Sequence, residues 1–438
     1  MSARSGRCPD LDIYNVSAGC ELSIISCPQG EMGSTSTNNI PRWLQLASSA
    51  DHIDSSLSLL QARERTRNNA RKATRPQVLP SRVRQVLSPS ASNELSKYYS
   101  ISVGANPDNL WGNRYSNIEP YDRTRVIVGG AVGALADGSV NSTVASLDGR
   151  YFNGSWVREL FGGKWWIATQ APLPQTSHVF LSALLQPIHR PMTLDSATSP
   201  PIPSRVRTVV QLTQNFESGR RKADAYFPSK PGQSFIVPPE RGCTAPSLQV
   251  TLLESRTLKE SRCIQSKLKV SIPILQSNQD RAQSVIFTHM LYAAWPDHGV
   301  PEEEDKESLL SFLRLVDETN KNTSSQDAVS DPDPPIMVNC SAGIGRTGSF
   351  VAISSLFRAF GLFNMSSLSA SLPRPLIKYP HTLPQSPLGP LPKEFEDDPV
   401  AQEVDSLREQ RPGMVQREEQ LVLIYELLVQ AYSRRGAC

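Results

Sequence analysis

The chain has 438 residues, with 45 Lys+Arg against 42 Asp+Glu, a net charge of +3 and 39% hydrophobic residues. So even a balance argues against nucleic acid or an anionic membrane as partner, and no run of about 18 apolar residues reads as a membrane span. Seven scattered cysteines and six separate histidines point to free thiols in a reducing compartment, with neither a disulfide framework nor a metal site.

The N-terminus lacks the apolar run and cleavage site of a signal peptide, so the expected address is the cytoplasm, with the nucleus as a second. Residues 1–40 show no sustained period and read as a disordered tail. From Pro41 the pattern changes: Trp43, Leu44, Leu46, Ile53, Leu57, Leu59 and Leu60 predict one or two amphipathic helices. A basic stretch follows, with Arg63, Arg65, Arg67, Arg71, Lys72, Arg75, Arg82 and Arg84 against Glu64. Its sharper reading is a docking patch for an acidic partner; its plainer and preferred reading is a solvated helix end running into a linker.

Tyr115 and Asn117 stand in the run Asn113-Arg114-Tyr115-Ser116-Asn117-Ile118-Glu119-Pro120-Tyr121-Asp122, where an aromatic wall suits an aromatic ligand and excludes short side chains. Val209 to Thr213 reads as a buried strand, and alternating strands are expected from Leu248 to Val270 and from Ser284 to Tyr292. Asp297 lies between Pro296 and Gly299 in Trp295-Pro296-Asp297-His298-Gly299-Val300-Pro301, residues that by themselves read as an ordinary turn. Proline-rich or polar segments near 74–108, 187–206, 318–335 and 364–404 read as surface insertions. Ser386-Pro387 within the last reads as loop filler or as a phosphorylation or docking site. Gln416 and Gln420, four apart, share one face at the start of the final helix.

Ile336-Met337-Val338 predicts a short buried strand, and apolar residues at 350, 353, 357 and 360 predict a helix. Between them lie Asn339, Cys340, the small residues Ser341, Ala342, Gly343, Ile344 and Gly345, then Arg346 and Thr347. Backbone amides and a helix N-terminus below, a guanidinium beside and a thiolate aimed at phosphorus make a cradle for a phosphate dianion. Gly343-x-Gly345-x-x-Gly348 also satisfies a dinucleotide fingerprint, but no acidic residue follows about 20 positions on. Asn339-Cys340-Ser341 is formally a glycosylation sequon, relevant only to a secreted protein.

This run resembles the signature loop of the protein tyrosine phosphatases, His-Cys-Ser-Ala-Gly-x-Gly-Arg-Ser/Thr-Gly, differing only in Asn339 where the family has histidine. Four other blocks resemble the family in order: the recognition loop at 113–126; the scaffold stretches at 148–157 and 166–172, with Ala171 for a glycine; the lysine stretch at 217–228 with the acid loop at 295–301; and the glutamine loop at 407–420. The resemblance implies a single α/β domain with a highly twisted mixed sheet flanked by helices on both sides. It would cover 41–438 with a core at 110–432, and its Pro-rich insertion is similar to those of fungal members.

The resemblance also implies roles. Cys340 is the nucleophile, Arg346 the phosphate clamp, Asp297 the acid, Gln416 the residue that positions water, and Thr347 a donor to the leaving sulfur. Tyr115, Asn117, Lys222, Gln420 and the loop residues 341–345 bind substrate, while Asn339, Trp295 and Arg411 support the loops. It implies no cofactor or metal, and phosphotyrosine proteins as partners, with MAP kinase-like phosphoproteins as the substrate class. Two alternatives stand beside it. A binding-only pseudophosphatase is favoured by Asn339 and Ala171 and opposed by the intact Cys340, Asp297, Arg346 and Gln416. A phosphoinositide phosphatase would want cations inside the loop, which is neutral here.

Overall fold

Apolar runs with β-branched and aromatic residues build the central strands, and their two-residue period sends alternate side chains into two cores. In the computed structural model, which describes residues 40–76, 91–129, 149–188, 204–273, 284–297, 299–323, 331–363 and 386–435, the strands are β1 (Gly154–Arg158), β2 (Trp165–Thr169), β3 (Thr208–Gln211), β4 (Phe216–Glu217), β5 (Arg220–Arg221), β6 (Ser234–Val237), β7 (Leu248–Leu258), β8 (Cys263–Ser271), β9 (Ser284–Tyr292) and β10 (Ile336–Asn339). One sheet has the order β1-β2-β10-β3-β9-β8-β7-β6, and β4-β5 form a separate hairpin. Strands β2, β10, β3 and β9 run parallel, with antiparallel strands on both sides. The expected mixed sheet is therefore present.

The helices are α1 (Arg42–Ala47), α2 (Ala50–Thr74), α3 (Ala91–Tyr98), α4 (Ser177–Leu185), α5 (Glu303–Thr323), α6 (Gly345–Ala359), α7 (Pro399–Gln410) and α8 (Glu418–Arg435). Ile336, Val338, Trp166, Ala168 and Val210 face one core with residues of α5, α6, α7 and α8. Met337, Ile167 and Val209 face the other with α4. Burying β10 on both faces fixes where its C-terminal end delivers Cys340.

Several segments depart from expectation. The basic stretch divides where it is described: Arg65 and Lys72 are exposed, as on a solvated helix face, while other cations are not. Three of its arginines turn inward along α2: Arg63 pairs with Asp405, fully buried Arg67 lies 2.6 Å from both Asp405 and Glu409, and Arg71 is buried too. Burial lowers the Arg67 pKa, but these carboxylates and Glu64 outweigh it and raise it well above the ordinary value. Arg71 pairs with Glu64. Arg75 bonds Glu119, whose carboxyl burial pushes up to about 7, and the Ser116 carbonyl. A helix rich in cations thus docks on acidic α7, because the partner charges lie far away in sequence.

The flanks of the expected insertions are packed where they are described. Residues 91–108 pack through Tyr99, Ile101 and Ala105 against Tyr121 and Ala70. Ile188 bridges to Ser204, and Val206 is fully buried. The stretch 318–323 is the end of α5, where buried Asn320 donates to the Pro334 carbonyl. Asp331 accepts from Ser204, and Asp333 pairs with Lys164. Residues 399–404 begin α7, capped by Asp398. Ser386 meets the Tyr99 hydroxyl at 3.2 Å. The expected tail at 1–39, residues Arg82, Arg84 and His298, and the centres of all four insertions lie outside the described residues.

Candidate active site

The loop from β10 to α6 is held from behind. Gly343 has φ +72°, and an added Cβ would stand 2.1 Å from the Thr169 carbonyl oxygen, so glycine is required there. Fully buried Arg411 donates to the carbonyls of Gly343 (2.7 Å) and Ala342 (3.0 Å), to Ser155 Oγ (3.2 Å) and to Asn153 Oδ1 (3.0 Å). Burial lowers its pKa to about 10. Ala171 donates its N–H to the Ser341 carbonyl at 3.0 Å and is absent from the positive-φ residues, so alanine fits where the family has glycine.

Cys340 is buried, and its Sγ accepts from the Gly343 N–H at 3.3 Å. Arg346 is the second residue of α6, in its first turn. Its Nη1 and Nη2 each donate to a Glu217 carboxylate oxygen at 2.8 Å, and Nη1 also donates to the Leu212 carbonyl. Such two-point pairing fixes the guanidinium plane. Thr213 Oγ1 and the Gln214 N–H in turn donate to Glu217. Glu217 opens the lysine stretch at 217–228, and its distance in sequence from Arg346 leaves the pairing invisible to sequence.

The acid loop lies over the site. Asp297 Oδ1 is 2.7 Å from Lys222 Nζ and 3.6 Å from Arg346 Nη2. Trp295 is buried in the core, and its Nε1 closes the loop by donating to the Gly299 carbonyl at 3.1 Å. On the opposite wall, Tyr115 packs with Ile118, Ala342 and Ile344, and its hydroxyl meets Ser341 Oγ at 2.8 Å. Ser341 Oγ donates to the Lys222 carbonyl, so the recognition loop, signature loop and lysine stretch are joined. Asn117 is half-buried beside Tyr115. Arg114 anchors Tyr115 from behind through Asp224 at 2.6 Å and the carbonyls of Ala171 and Pro172.

Gln416 and Gln420 approach Gly345: their amides lie 3.4 and 2.9 Å from where a Cβ would stand. Gln420 Oε1 accepts from the Gln416 and Arg417 N–H groups. Val415, just before Gln416, has φ +54°, a costly geometry for a β-branched residue. It is held by Ile344 and by Arg408, which also grips the Met414 carbonyl. Arg408 was not singled out in sequence.

Two residues beside the thiol differ from what the resemblance implies. Buried Asn339 donates through Nδ2 to the Cys340 carbonyl at 3.1 Å, while its buried Oδ1 has no hydrogen-bond partner among the described residues. Thr347 is fully buried and its hydroxyl likewise lacks a partner there, so the bond to sulfur is not formed in this structure.

The family model for protein-tyrosine phosphatase matches residues 109–188 and 202–367. The chain belongs to the protein-tyrosine phosphatase family. Among its relatives, human receptor-type tyrosine-protein phosphatase H is 29% identical over 329 residues, covering 75% of this chain and 22% of the relative. The Lar-like tyrosine-protein phosphatase of Caenorhabditis elegans is 28% identical over 342 residues, 78% of this chain and 11% of the relative. Human tyrosine-protein phosphatase non-receptor type 14 is 28% identical over 254 residues, 57% of this chain and 18% of the relative. The chain thus spans about a fifth or less of the length of these phosphatases. A solved structure described as the "Structural basis of PTPN18 fingerprint on distinct HER2 tyrosine phosphorylation sites" superposes with a TM-score of 0.52 at 23% identity, covering 89% of this chain and 96% of that one. That likeness concerns the fold.

Proposed function

We propose that this chain hydrolyses phosphotyrosine on proteins through a cysteinyl-phosphate intermediate. The observation that carries the reading is the convergence on one loop of Cys340, the Glu217-held Arg346 and the covering Asp297. Cys340 attacks phosphorus as thiolate while Arg346 and the loop amides hold the equatorial oxygens of the transferring phosphoryl group. Asp297 gives its proton to the departing tyrosine oxygen. A water placed by Gln416 then attacks phosphorus and gives its proton to Asp297, releasing phosphate and the Cys340 thiolate. Thr347 turns its hydroxyl to the leaving sulfur in this second step. Tyr115 stacks on the substrate ring, Asn117 bonds its backbone, and Gln420 supports Gln416.

MAP kinase-like phosphoproteins as substrates rest on the resemblance alone. Action in the cytoplasm or nucleus, away from membrane and nucleic acid, rests on the near-neutral charge and unpaired thiols; among the described residues no helix is long and apolar enough to cross a membrane. A domain at 41–438 is supported by the packing of α1 and α2 on the core, including Trp43 stacked on Phe360 at 5.3 Å. A binding-only reading draws on the unpartnered Asn339 Oδ1. Turnover of a phosphotyrosine peptide by wild type and Cys340→Ser separates the two: Cys340-dependent phosphate release is expected. Tight peptide binding without release would establish the binding module instead.

A further inference from the structure

The β4–β5 hairpin carries the side chains that organise the active site, and one cation on it has no assigned task. Its register pairs Glu217 with Arg220 and Phe216 with Arg221. Paired residues of an antiparallel ladder project to the same side. Phe216 and Arg221 occupy one face, where the guanidinium lies 5.1 Å from the ring centroid and Arg221 bonds Asp224 at 2.8 Å. Glu217 and Arg220 occupy the other. Glu217 is committed to Arg346, so that face is turned to the phosphate pocket.

Arg220 is exposed, and its side chain makes no hydrogen bond or ion pair among the described residues. It stands at the end of a tight turn with Ser218 at φ +48° and Gly219 at φ +73°. The hairpin base is held by Lys222 N–H on the Asn215 carbonyl and by Lys222 on Asp297. Across the pocket, the residue after Tyr115 is the neutral Ser116. The nearby Arg75 is engaged with Glu119 and the Ser116 carbonyl.

We propose that Arg220 is a specificity-determining residue that selects substrates carrying an anionic side chain, a carboxylate or a second phosphate, beside the phosphotyrosine. The proposal rests on the phosphatase reading above. A peptide whose phosphotyrosine enters between Tyr115 and the acid loop has its flanking residues at the pocket rim. An exposed guanidinium carried there by the hairpin, with no partner of its own among the described residues, offers a two-point partner to either anion.

The test is kcat/KM on phosphotyrosine peptides identical except for one flanking residue, glutamine, glutamate or phosphothreonine, placed in turn on either side. Wild type should favour the anionic peptides over the glutamine peptide by about three- to fivefold, as expected of an exposed charge pair. The gain should sit in KM and fade with added salt. Arg220→Gln should bring the ratio close to one, Arg220→Lys should retain most of it, and Arg221→Gln should leave it intact. A larger gain for phosphothreonine than for glutamate identifies a second phosphate as the anion, and the reverse identifies a carboxylate. A ratio unaltered by Arg220→Gln, or equal losses on every peptide, overturns the assignment. If wild type releases no phosphate, it is the phosphatase reading that fails. The same ratio is then read from equilibrium binding to Cys340→Ser with and without Arg220→Gln, and its insensitivity overturns the role of Arg220.

Discussion

Two buried arginines flank the phosphate cradle, one on its pocket side and one behind it, and they are held by different chemistry. Arg346, on the pocket side, is paired at two points with Glu217 and stands 3.6 Å from Asp297. Arg411, behind the loop, meets two carbonyls, a hydroxyl and a side-chain amide, with no carboxylate among these partners. Acidic partners suit a cation that must present a fixed plane to an incoming dianion. Neutral acceptors suit a cation whose task is shape: it ties Ala342 and Gly343 to Asn153 and Ser155, and loses part of its basicity to burial. The pocket side should therefore govern rate and the rear should govern stability.

Variants on each side can break that division. Asp297→Ala should have the largest effect on rate, lowering kcat about 10²- to 10⁴-fold while shifting the chemical-denaturation midpoint little; a comparable loss of stability would place Asp297 in the scaffold instead. Arg411→Met should cost about 3 kcal/mol in urea unfolding, because it orphans several buried acceptors at once. An unchanged midpoint with low activity would erase the contrast.

Glu403, on α7 behind α6, accepts from Ser355 and from the Leu160 and Phe161 N–H groups, yet burial pushes its carboxyl up to about 8. A folded-state pKa above the ordinary carboxyl value means that its contribution to stability is fully present below about pH 4.5 and is lost as pH rises through about 8. Glu403→Gln should remove that decline, about 3 kcal/mol between pH 5 and 8, read from unfolding at several pH values; an unaltered slope rules the carboxyl out as its source. Glu217→Gln should lower kcat/KM about tenfold by loosening the Arg346 plane, with little change in melting. Smallest of all, Asn339→His should raise activity about twofold and move the acidic limb of the pH–rate profile downward by supplying a chargeable ring beside the loop. An unmoved limb would show that charge at this position does not matter.

Local chemistry was readable where function is written in adjacent residues. Cys340, Arg346 and the glycines between them lie within one turn and one helix start, and Trp295-Pro296-Asp297 is a loop whichever sheet it serves. Gln416 and Gln420 were legible as one helical face. Pairings across distant segments were not: nothing adjacent to Glu217 marks it as the partner of Arg346, and nothing in the cationic run of α2 says that Arg67 will be buried against Asp405 and Glu409. The packed flanks of the expected insertions are hidden from sequence for the same reason. Polar and proline-rich composition describes how a segment looks to solvent, whereas Asn320, Ser204 and Asp331 are polar residues satisfied by partners elsewhere in the fold.

The sequence by itself determined the family, the identity of the nucleophile, clamp and acid candidates, and the strand-loop-helix that cradles phosphate, since each depends on residue type at short spacing. Only the tertiary structure decided how those groups are held. Glu217 came to orient Arg346, Arg408 to hold Val415 beside Gln416, and Arg220 to be left exposed on the pocket face. Those outcomes depend on which distant chains share a dry volume, where a charge must find a partner or remain in water.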